Sequence, residues 1–237
     1  MSAGMEITMK QTDIINPFQP YMTLEMDGYS QINRTDYGIS HFYEFTIHDE
    51  KKHCIKAVPD ASIDLLFNIG ENKVSTYISG TVFGVKKWEL GTQDDCFGVR
   101  FQPGQGILPK DITMEMIVND DIEIDGDIFG KNLTEKIALA KTMSERIDIF
   151  KKAYEDIVLG RSSLSDKEKI NEYLVNRISR TKGMITMRQL EDETNYSACY
   201  LRRIFKSFHG ISPKQFAQYI RFQNLLMQAD KELSLIH

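Results

Sequence analysis

The chain has 237 residues, 41% of them hydrophobic and 27% charged, with a formal net charge of −5. No apolar run reaches the ~20 residues that a bilayer-spanning helix needs, which argues against a helical membrane protein. Cys54, Cys96 and Cys199 are few, odd in number and far apart, which argues against a secreted fold held by disulfides.

The first thirteen residues, MSAGMEITMKQTD, lack the apolar centre of a secretion signal. With the cysteine usage, this gives the expectation of a cytoplasmic protein. Short β-rich runs follow between about 40 and 102: HFYEFTI (41–47), SIDLLFNI (62–69), VSTYISG (74–80) and CFGVRF (96–101). Turn residues separate them at Pro59-Asp60, Gly70-Glu71-Asn72, Gly91 and Pro103-Gly104. Strands at this spacing predict a sandwich or small barrel. After Pro103 the pattern predicts helices at about 104–109, 132–142 and 144–159. The last has Ser144 as its cap and Ile147, Phe150, Tyr154 and Ile157 as its apolar stripe. GRSSLS (160–165) reads as a linker, and a further helix is expected over 166–180.

Charge divides the chain at the same place. Residues 1–160 carry 16 Lys+Arg against 26 Asp+Glu, net −10; residues 161–237 carry 13 against 8, net +5. An acidic body repels phosphate and a basic tail attracts it. The expected architecture is therefore α+β. A β-rich N-terminal sensor or dimerisation domain with flanking helices (1–160) precedes an all-α nucleic-acid-binding domain (161–237).

The tail carries the sharpest local pattern. Residues 185–230 read as helix, tight turn, helix, tight turn, helix. Thr186 suits an N-cap, and Leu190 begins the buried face of the first helix. Asn195 stands between the helices, where a left-handed residue is required. Ser197 suits the next N-cap, Gly210 a left-handed C-cap, and Ser212-Pro213 an N-cap followed by a first-turn proline. Leu201, Ile204, Phe205 and Phe208 fall on one side of the second helix, and Arg202, Arg203 and Lys206 on the other.

Ser197-Ala-Cys-Tyr-Leu-Arg-Arg-Ile-Phe-Lys206, followed by Gly210-Ile-Ser-Pro-Lys-Gln-Phe216, resembles the first helix-turn-helix and connecting helix of the AraC/XylS family of bacterial transcription regulators. About 45 residues share the resemblance. Asn195 stands where the family usually has Gly, and Glu191 where a small residue packs against the turn. That family joins two such motifs, and this chain stops about where the second would begin; truncation before a second motif is the favoured expectation, and a protein that uses a single motif the alternative.

The resemblance implies that Cys199, Arg202 and Arg203, spaced i, i+3, i+4, face base edges in the major groove. Arginine can pair with O6 and N7 of guanine, whereas Cys199 offers only a small contact. Ser197 with the amides at the helix start, and Lys206 as a point charge, suit phosphates. Pro59–Phe67, Gly98–Gly104 and Ile128-Phe129-Gly130 resemble an uncharacterised domain often fused to such regulators, which implies a cupin-like or related β-sensor.

Other constellations are weaker. Asp121-Ile-Glu-Ile-Asp-Gly-Asp127 resembles part of a calcium loop, but position twelve is Asn132. An acidic surface loop is the plainer reading. His53-Cys54 lacks a second ligand pair. Asp60 and Asp64 suit a turn cap and a paired carboxylate, or a ligand pocket. Trp88 suits the core or a pocket wall. The expectation is a non-enzymatic, sequence-specific DNA-binding regulator without a cofactor. Its partners are double-stranded DNA, a small-molecule or protein effector and, in one arrangement, a second copy of the chain. A protein-binding adaptor with a degenerate motif and a cupin-like small-molecule enzyme are the alternatives.

Overall fold

The computed structural model describes residues 16–26, 28–46, 54–71, 73–89, 95–106, 108–160 and 163–234. The chain start, Asn72, the turn at Gly91, Arg161-Ser162 of the linker and the last three residues lie outside them. So do His53 and the side chains of Cys54 and Trp88.

Among the described residues, helix α1 (Pro20–Glu25) precedes eight strands: β1 (Ser30–Asn33), β2 (Ile39–Thr46), β3 (Cys54–Ala57), β4 (Asp64–Ile69), β5 (Val74–Ser79), β6 (Lys86–Glu89), β7 (Asp95–Phe101) and β8 (Asp121–Ile124). Six form one antiparallel sheet in the order β1-β2-β7-β4-β5-β8, while β3 and β6 pair as a separate ribbon. An antiparallel sheet region thus leads into a helical C-terminal region, an α+β chain. The second layer is less than a full sheet: a ribbon and α1 lie over one face, and helices cover the other.

Successive side chains on a strand point to opposite faces. Phe42, Leu65, Phe67, Ile78, Phe97, Val99 and Phe101 point one way. They bury against Ile137 of α3 (Leu133–Leu139) and Ile147, Phe150 and Tyr154 of α4 (Met143–Leu159). The cap of α4 is Thr142, two residues before Ser144, because Thr142 and Glu145 complete a reciprocal capping box.

The helix expected at 104–109 is absent among the described residues there. Gly104 (φ +73°) and Gly106 (φ +103°) take left-handed conformations that turn the chain instead. A one-turn helix, α2 (Met114–Ile117), forms later. The loop expected at 121–127 opens as strand β8, with Asp121 opposite Ser79 and Ile122 opposite Ile78.

Four more helices follow among the described residues: α5 (Asp166–Arg180), α6 (Met187–Thr194), α7 (Ala198–His209) and α8 (Pro213–Ser234). They enclose a second core of Leu174, Val175, Ile178, Leu190, Leu201, Phe205, Phe216 and Ile220. Arg177 of α5 and Glu193 of α6 pair across the surface, and the Tyr173 hydroxyl donates to Glu193 at 2.7 Å.

The two cores touch. Ala61, in the loop before β4, belongs to the second core. A Cβ on Gly104 would lie 2.9 Å from Val175 Cγ2, and one on Gly210 would lie 2.6 Å from Val118 Cγ2. Among the described residues no helix is long and apolar enough to cross a membrane.

Candidate nucleic-acid interface and polar cavity

The helical motif forms from local signals. Thr186 Oγ1 accepts from the Gln189 amide and Gln189 returns the bond, a capping box for α6. Asn195 ends α6 at φ 58° and Gly210 ends α7 at φ 66°. Ser197 caps α7 by accepting from the Tyr200 amide. Glu191 departs from the family pattern yet tightens the turn: its Oε1 accepts from the Ala198 amide at 2.6 Å. That places a carboxylate on the first amide of α7, on the positive end of the helix dipole.

Cys199, Arg202, Arg203 and Lys206 are all exposed on α7, while Leu201, Ile204 and Phe205 are buried and Phe208 is half-buried. The guanidinium of Arg203 lies 5.4 Å from the centroid of the Tyr200 ring, which stacks near Tyr196. The negative ring face attracts the guanidinium. At the far end of α7, His209 is buried between Phe205 and Phe216, with Nε2 2.8 Å from Asn171 Oδ1. Burial pushes its pKa down to about 3, so it packs as a neutral ring.

A second constellation lies on the ribbon-covered face of the sheet. Register sets His41 opposite Arg100, Arg100 opposite Asp64, Asp64 opposite Ser79, and Ser79 opposite Asp121. One polar row therefore crosses five strands. Asp64 Oδ2 accepts from Arg100 Nε at 2.8 Å and also from its Nη2, and Asp64 Oδ1 accepts from the Tyr43 hydroxyl at 3.1 Å. Asp60 Oδ2 lies 3.5 Å from Arg100 Nη1 and accepts from Gln19 Nε2 at 2.7 Å. Asp60 Oδ1 caps its own turn by accepting from the Ser62 amide. Asp60 is thus both turn cap and paired carboxylate.

Gly98 makes room for this arrangement. The Tyr43 ring lies against it, and a Cβ there would fall 2.0 Å from Tyr43 Cζ.

Electrostatics follow from burial. Arg100 and Asp60 are only 4% exposed. Burial opposes the charge on Arg100, but Asp64 and Asp60 outweigh it and hold the guanidinium above its ordinary pKa. Burial pushes the Asp64 carboxyl upward, against the pull of Arg100. His41, beside Arg100, is pushed down to about 3, mainly by burial.

Over the row lies a cavity of about 170 Å³, closed by Gln19 and Met22 of the α1 region and by Ala57, Val58 and Val82. Sequence reasoning picked out Asp60 and Asp64 but missed Gln19, His41, Ser62 and the pairing role of Arg100. A charge inside the apolar run CFGVRF was the available signal.

The acids of the calcium-like stretch do not converge. Asp121 lines the cavity, Glu123 pairs with Lys73, Asp125 caps a turn, and Asp127 accepts from the amides of Asn132 and Thr134. Among the described residues no group of three or more His, Cys, Asp or Glu is placed to hold a metal ion.

No curated protein and no solved structure matches the chain. A family does match over residues 37–123, a domain of unknown function, DUF6597, known in the N-terminal region of AraC-type regulators. The matched stretch holds β2 to β7, the start of β8 and both Pro59–Phe67 and Gly98–Gly104; it ends before Ile128.

Proposed function

We propose that the chain is a sequence-specific DNA-binding transcription regulator. In this reading residues 161–237 read DNA, and residues 1–160 receive an effector. The observation that carries it is α7: three cations and Cys199 stand exposed on one side of a helix whose other side is buried. Arg202 and Arg203 address guanine edges in the major groove, Cys199 makes a small neighbouring contact, and Ser197 and Lys206 hold phosphates.

One buried glutamine ties the reader to the sheet-bearing half, and a second braces the loop it holds. Gln223 of α8 is fully buried, accepts from the Phe18 amide at 2.7 Å and donates to the Pro59 carbonyl at 3.0 Å. Gln19 donates to Val58 O and Asp60, and accepts from the Val58 amide. The 58–60 loop therefore lies between cavity and reader, and a shift at Asp60 is felt at α8. This gives an effector a physical route to α7. A pair of chains would present two α7 helices to two half-sites.

The test is selection from a random duplex library. The unmodified chain should enrich a defined motif, and Arg202→Ala/Arg203→Ala should lose it while remaining folded. Equal enrichment by both proteins would remove α7 as the reader, and no enrichment by either would favour the adaptor reading.

A further inference from the structure

Nothing in DNA reading uses the cavity over the polar row, and its charge is not balanced. Asp60 and Asp64 share one guanidinium, Arg100. His41 adds no positive charge, because burial keeps it neutral at physiological pH. The Ser62 hydroxyl, in a residue 3% exposed, is buried with no hydrogen-bond partner. Excess negative charge inside a protein is costly unless a cation answers it. Met22, Leu66 and Val82 give the wall an apolar part, beside the polar Asn68 and Ser79. At about 30 Å³ per water in the liquid, the space corresponds to roughly five or six waters, a small ligand.

We propose that this cavity binds a small organic cation, a primary amine or amidine on a short apolar body. Its N–H groups donate to Asp60 and Asp64, and its body rests on Met22, Leu66 and Val82. Arg100 holds the two carboxylates in place, and one positive charge from the ligand balances the Asp60–Arg100–Asp64 group. That this ligand is the effector rests on the DNA-binding reading above; that it binds does not. Asp60 is the first group it would pull, and Gln19 and Gln223 join that loop to α8.

The experiment is calorimetric titration of the full chain at neutral pH with three isosteric probes: isobutylamine, isobutanol and isobutyrate. Isobutylamine should bind at least about tenfold more tightly than either of the others. In Ser79→Lys, a resident ammonium is placed between Asp64 and Asp121, and amine binding should disappear while the melting temperature holds or rises. Equal binding of the alcohol or the carboxylate, or no binding of the amine up to about 10 mM, would overturn the proposal. Amine binding that survived in folded Ser79→Lys would do the same. No DNA is present, so the result is independent of whether α7 reads DNA.

Discussion

On one face of the six-stranded sheet, Phe42, Phe67, Phe97 and Phe101 meet Phe150 and Tyr154 in a fully buried aromatic layer. On the other face, the alternate residues of the same strands are His41, Tyr43, Asp64 and Arg100, of which the last three line a cavity. The first face minimises exposed apolar area and holds nothing that a ligand could use. The second holds charges whose burial costs stability. Proteins keep such charges buried only where their pairing is complete or where they serve a further purpose.

The sharpest way to break this contrast is to damage each face and compare pH dependence. Phe150→Ala should cost about 3–5 kcal/mol, equally at pH 7 and pH 5. Arg100→Ala should cost a similar ~3–5 kcal/mol at pH 7, because two buried carboxylates lose their cation. Burial already raises the Asp64 carboxyl, and without Arg100 the counteracting pull is gone. The cost of burying Asp64 is therefore greatest at high pH and shrinks as acid protonates it. Urea unfolding at both pH values measures this, and a pH-independent deficit in Arg100→Ala would mean that the two faces are alike.

Gly98→Val tests how tightly the polar face is built. The new side chain collides with the Tyr43 ring, which donates to Asp64, and should cost roughly 1–3 kcal/mol. If unfolding midpoints did not move, Tyr43 would not be fixed against the strand.

A comparable, pH-dependent effect comes from the buried histidines, one in each half. His41 and His209 have folded pKa values of about 3 against 6.5 unfolded. Their contribution is fully present above pH 6.5. It is lost as pH falls toward 3, at up to about 1.4 kcal/mol per pH unit for each. Thermal unfolding from pH 7.5 to 5 should therefore show falling stability, less steeply in His209→Gln. A flat profile for the unmodified chain would contradict burial of both rings.

The smallest effect is at the reader. Ser197→Ala should cost about 1 kcal/mol by removing the α7 cap, without touching the cavity. A change in amine affinity in this variant would show that α7 and the cavity are coupled.

The helical half was legible because its determinants are local. Thr186 with Gln189, Asn195, Ser197, Gly210 and Ser212-Pro213 act within three or four residues, and helices form where these signals fall. The strongest strands were legible for the same reason. The calcium-like stretch misled because alternating Asp-Ile-Glu-Ile suits a strand as well as a loop, and pairing with β5 decides between them. The polar site was legible only in part, through Asp60 and Asp64. Arg100 meets Asp64 through strand register, and Gln19 meets Asp60 only when the α1 segment packs on its loop. Glu191, a departure from the family pattern, supports the turn because its side chain is long enough to reach the Ala198 amide.

The most direct measurement is equilibrium binding of the chain to its selected duplex and to a scrambled duplex, at low and physiological salt, with and without Arg202→Ala/Arg203→Ala. The expected result is a preference for the selected duplex that the substitutions abolish. It sits on a salt-sensitive background whose logarithmic salt slope is about 0.9 per phosphate neutralised. Equal affinity for both duplexes, or a preference that survives the substitutions, would contradict the assignment of α7 as a DNA reader.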